Sequence, residues 1–163
     1  MSAWLRRTSG ILSLGGGSVG VALILTQLLA NYPGFTALLF SIAFLGVYSW
    51  GIAAGVLLLE GARIGLRMSL AYWFIQILQF STPWLLFELS SGARVVILYG
   101  QGKLNFNAIV GSHFNFFFGT SGPWVVGINV LALVMFVLLV KAARSIRQQN
   151  SVDPVVKQHQ SSP

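Results

Sequence analysis

Four uncharged apolar runs dominate the chain: Ile11 to Ala30, Thr36 to Leu59, Met68 to Phe87 and Pro123 to Val140. A helix needs about 20 apolar residues to cross the hydrocarbon core of a bilayer, and all four runs are long enough. The pattern therefore predicts an all-α membrane protein, a bundle of four transmembrane helices. The links Asn31-Tyr32-Pro33-Gly34-Phe35 and Glu60 to Arg67 are short. They make helices one and two, and helices two and three, antiparallel neighbours.

The stretch between the third and fourth runs, 88–122, has a different rhythm. From Leu104 to Phe118 the even positions are apolar except Ser112, while the odd ones include Asn105, Asn107, His113 and Asn115. A period of two is the mark of a half-buried strand. Arg94 to Tyr99 forms a second β-branched run, and Gly100-Gln101-Gly102 a turn between the two. A lone strand cannot lie in lipid with unsatisfied backbone groups. The expectation is a small antiparallel sheet of two or three strands in an outer loop, with Gly111-Ser112 as a further turn. Its phenylalanine face should lie on the outer helix ends or the headgroups. The polar stretch 148–163 reads as a disordered tail.

Composition sharpens this picture. Only 8% of residues are charged, and mean hydropathy is +0.77. Ten Lys and Arg against three acids give a net charge of +7. Nucleic-acid binding is not the reading, because no basic patch is interleaved with aromatics on a soluble element. The basic residues fit a topology signal instead. Arg6, Arg7, Arg63, Arg67, Lys141, Arg144 and Arg147 fall on one side if both termini are cytoplasmic, leaving Arg94 and Lys103 opposite. Tyr32, Phe35, Trp84, Phe87 and Trp124 then form an aromatic belt at the outer boundary. A multi-pass protein of a bacterial inner membrane is the expected setting. The first run exceeds a signal-peptide core, and Leu28-Leu29-Ala30 is a poor cleavage site, so it reads as a retained anchor.

Candidate chemistry is sparse. Cysteine is absent, which excludes disulfides and thiolate sites. No ionisable residue lies inside a run, and proton-coupled carriers and voltage sensors depend on such groups. No metal or cofactor is expected. Tyr72, Gln76 and Gln79 share a face of the third helix by spacing. Gln27, Gln79 and Asn129 fall in the outer half and are expected either to meet in a polar pocket or to bond between helices. Gly16 and Gly20 on the first helix, and Gly51 and Gly55 on the second, mark close packing between these helices or between copies of the chain. Glu88 and His113 are the sole acid and imidazole of the outer loop, placed for acid–base work or for an ion pair with Arg94.

The leading expectation is a non-enzymatic membrane component whose outer sheet binds a partner or lipid, with Asn105, Asn107, Asn115 and His113 presented. An oligomeric conduit lined by Gln76, Gln79 and Asn129 is the alternative, and an envelope enzyme using Glu88 and His113 a weaker one. The bilayer is the first partner, another membrane or extracytoplasmic protein the second.

Overall fold

The computed structural model describes residues 1–30, 34–118 and 123–159. Three helices come first: α1 (Ala3–Ala30), α2 (Phe35–Leu59) and α3 (Arg63–Ile75). Six strands follow: β1 (Leu78–Ser81), β2 (Leu85–Ser90), β3 (Ala93–Gly100), β4 (Lys103–Val110), β5 (His113–Phe118) and β6 (Val125–Asn129). The last helix is α4 (Val130–His159), which continues into the stretch read as a polar tail. Tyr32 of the expected belt, the rest of the 31–33 link, residues 119–122 and the last four residues lie outside the described residues.

The four-transmembrane-helix bundle is not what forms. Among the described residues, only α1 and α2 are helices long and apolar enough to cross a membrane. The expected third span, 68–87, is helical only to Ile75; it then turns at Gln76 and Ile77 and becomes β1 and the first half of β2. The expected fourth span, 123–140, begins as β6 and turns helical only at Val130. The thirteen residues of α3 rise about 20 Å, short of a roughly 30 Å hydrocarbon core. The lost helical halves pair with each other: Leu78, Gln79, Phe80 and Ser81 align with Ile128, Gly127, Val126 and Val125. Local chemistry explains the switch. Pro83 cannot donate to a helix ladder, and Thr82 takes the amides of Trp84 and Leu85 in a turn. Val125, Val126 and Ile128 are β-branched, and Gly127 weakens a helix there.

The sheet is therefore not a small two- or three-stranded one. It has six strands in the order β4-β3-β6-β1-β2-β5, and every pairing is antiparallel. Chain connectivity forces it to curl. Ser91-Gly92 links β2 to β3, which lie three strand spacings apart, about 14 Å in a flat sheet. Gly111-Ser112 links β4 to β5, the two edges, about 24 Å apart in a flat sheet. Such links reach only about 10 Å, so the sheet bends into a half-barrel whose edges converge at this corner and diverge away from it. Gly111-Ser112 is thus a crossing between edges and not the hairpin turn expected. The hairpin turn between β3 and β4 is Gln101-Gly102, with φ of 52° and 73°.

Register assigns the two faces. Gln79, Ser81, Leu86, Glu88, Ser90, Arg94, Val96, Leu98, Lys103, Asn105, Asn107, Ile109, His113, Asn115, Val125, Gly127 and Asn129 share the concave face. Gly127 leaves room there for its neighbours' side chains. A Cβ there would lie 2.6 Å from Leu98 and 3.0 Å from Val96. The convex face is apolar throughout its described rows: Phe106, Ile97, Ile128 and Leu78 in one, Leu104, Tyr99, Val126, Phe80 and Phe87 in the next.

The phenylalanine face does not lie on the helix ends. Phe87, Leu89 and Phe114 pack against Phe44 and Tyr48 along the side of α2. The closed corner seats at Gly16, midway along α1, where Ser112 Oγ donates to the Gly16 carbonyl. From Gly16 to Ala30 is about 21 Å of helix, matching the roughly 20–26 Å of six to eight strand residues. The half-barrel rises beside the upper halves of α1 and α2. Below it, all four helices share a core of Leu5, Leu58, Leu66, Trp73, Ala132, Met135 and Leu139.

Candidate functional site

Alternation puts the chemistry on the concave face. Glu88 on β2 and Asn115 on β5 are register partners, as are Ser90 and His113. The curl brings Arg94 of β3 across to them, with Nη1 3.6 Å from Glu88 Oε2. His113 Nε2 is 3.0 Å from the same oxygen, and Asn115 Nδ2 is 3.4 Å from it. Asn115 Nδ2 also lies 3.1 Å from His113 Nε2. A nitrogen cannot accept while it carries the proton it donates. With Nε2 protonated, His113 donates to Glu88 and Asn115 donates to the carboxylate directly.

Arg94 is the unusual member. It is 8% exposed, and its Nε and Nη1 have no hydrogen-bond partner. A buried guanidinium is costly unless paired, and here one carboxylate at 3.6 Å carries the compensation. Around this cluster the groove has two ends. At the closed corner, Tyr48 shares its one O–H between the carbonyls of Ser90 and His113, both at 3.2 Å. Ser112 accepts there from the Gly92 amide. At the open end Lys103, Asn105 and Asn107 on edge strand β4 are exposed. Trp84 and Trp124 flank that end, both largely exposed.

Of the residues expected to form an intramembrane polar pocket, Gln79 and Asn129 share the concave face on the paired strands β1 and β6. Gln27 is exposed on α1, whereas Gln79 and Asn129 are buried. Asn129 caps α4, its Oδ1 accepting from Ala132, and it also accepts from Val95 of β3. Gln79 donates to the Leu89 carbonyl, and Gln76, past the end of α3, to Tyr72. The shared helical face of Tyr72, Gln76 and Gln79 does not exist, because the helix ends before the glutamines.

All four glycines face other parts of their own chain. Gly20 meets the Tyr48 ring, Gly51 meets Tyr72, Gly55 meets the Gly10 carbonyl and Leu14, and Gly16 meets Ser91 and Gly92.

Sequence reasoning missed Tyr48 and Ser112 as the anchors of the corner, and the place of Arg94 on the groove floor. A period of two through Arg94, Val96 and Leu98 carried the last signal. The first two depend on distant contacts that spacing does not encode. Among the described residues, no group of three His, Asp or Glu side chains could hold a metal ion. Comparison with family models, curated proteins and solved structures gives no match, so the site's own geometry carries the reading.

Proposed function

We propose that this chain is a non-enzymatic membrane component whose half-barrel holds the polar part of an amphiphilic ligand at membrane depth. One observation carries the reading. Across six strands the convex face is apolar and the polar side chains all lie on the concave face, among Leu86, Val96, Leu98, Ile109 and Val125, beside two helices long enough to span a bilayer. In a water-soluble sheet with one solvated face the arrangement is reversed, with the apolar face covered. Here Leu104 and Phe106 on the convex face are 72% and 70% exposed. Non-helical backbone is tolerated at membrane depth where it is buried in protein or lines a wet cavity, and the concave face is the side that carries polar groups.

The groove's polar lining is mostly amide and hydroxyl, suited to hydrogen-bonding a headgroup. The diverging edges β4 and β5 leave a side opening through which a chain can pass into lipid. Catalysis has less support. Glu88 and His113 are engaged with each other, and the buried Ser90 Oγ, cross-strand from His113, has no hydrogen-bond partner. The imidazole is not drawing a proton from a nucleophile. The conduit reading has less support, since Gln76, Gln79 and Asn129 are buried and each bonds to backbone through one of its amide atoms.

Photo-crosslinking tests the proposal. A phospholipid carrying its photoreactive group in the headgroup should label position 107, and one carrying it in the acyl chain should label position 106. Equal labelling of both positions by both probes would refute a polar groove on an apolar body.

A further inference from the structure

A second site lies at the opposite end of the molecule, where the helices meet below the half-barrel. A cavity of about 330 Å³ opens there. Leu58, Leu66, Ala143 and Ile146 line its floor, and Arg63 and Arg67 its rim. We infer that this cavity docks an anionic phospholipid, with the phosphate on Arg63 and Arg67 and the glycerol and upper acyl carbons over the apolar floor. The inference stands apart from the groove reading and does not rest on it.

Charge complementarity points to the head. The two arginines sit four apart on one face of α3, where like charges repel. No acidic residue lines the cavity. Among the described residues, both ion pairs use Glu88, at the other end of the molecule. The first turn of α3 adds to the field, because its cap residue Ala62 makes no side-chain hydrogen bond to the free amides. The apolar floor points to a lipid and not a soluble phosphate. Trp4 and Ile64, 67% and 58% exposed at the same end, extend that apolar surface around the rim. Basic pockets between helices at the cytoplasmic face are a recognised mode of anionic-lipid binding.

The test uses the whole protein in mild detergent, offered phosphatidylglycerol and phosphatidylcholine of equal acyl length, with retained lipid counted by native mass spectrometry. The wild type should prefer phosphatidylglycerol. Arg63→Gln with Arg67→Gln should cut that preference about 30-fold, from about fivefold per arginine. Arg7→Gln removes an exposed charge at the same end but outside the cavity, and should leave the preference near wild type. Ala143→Phe should displace the lipid by filling the floor with the charges intact, and thermal unfolding of each variant verifies the fold. Three results would overturn the inference: no preference between the lipids, an equal loss from Arg7→Gln, or displacement by glycerol 3-phosphate as effective as by the lipid.

Discussion

The helical end and the half-barrel end of this molecule solve one problem in two ways. Both are apolar outside, with Ile64 and Val137 exposed on the helices and Ile97 and Val126 on the sheet. In the helical end the backbone is satisfied within each helix, so the interior can be apolar: Leu58, Trp73, Ala132 and Leu139 are fully buried. In the half-barrel end the backbone is satisfied between strands, and alternate side chains must point inward. The chain places its strand-borne polar groups at those positions, interleaved with Leu86, Val96, Leu98, Ile109 and Val125. One end is a packed core and the other a lined groove, and the difference follows from the period of the side chains, 3.6 against 2.

Substitutions should separate the two ends. Trp73→Ala should have the largest effect, about 4 kcal/mol, because it empties a fully buried site and orphans its bond to Ser9. Reversible unfolding in mixed micelles would measure it. Gly16→Val should follow at about 3 kcal/mol, since a side chain there collides with the Ser91-Gly92 backbone that closes the sheet. Limited proteolysis should then cut the strands while α1 and α2 stay protected, and simultaneous loss of both ends would show that they are one cooperative unit. Glu88→Gln should cost about 2 kcal/mol by leaving the Arg94 guanidinium without its counter-charge. Arg94→Gln added to that variant should recover part of the loss, and a purely additive double variant would mean the pair is not coupled. Tyr48→Phe should be smallest, about 1 kcal/mol, from the one O–H shared between two carbonyls at the closed corner.

Legibility in the sequence divides along the same line. The run Thr36–Leu59 matches α2 closely, and Ile11–Ala30 is the later part of α1, which starts at Ala3 and takes in Arg6 and Arg7; long uncharged runs between turn formers read readily as helices. The β3–β4 hairpin was legible from alternation and from Gly102. The outer halves of the third and fourth runs were not. A short apolar run such as Leu78–Ser81 or Val125–Ile128 has no periodicity that separates strand from helix. What decides is the partner strand, and β1 finds β6 forty-four residues away only once the half-barrel exists. The groove cluster was half legible. Glu88, His113 and Arg94 stood out as the loop's rare charges, while their meeting on one concave face required the curl imposed by two short crossings.

The central claim, polar in and apolar out on a sheet at membrane depth, is tested most directly along β4. The chain has no cysteine, so single cysteines at positions 104 to 107 can carry spin labels without background. In lipid vesicles, accessibility should alternate: labels at 105 and 107 should collide with a water-soluble nickel chelate, and labels at 104 and 106 with dissolved oxygen. A flat profile, with all four labels equally exposed to the chelate, would contradict the account.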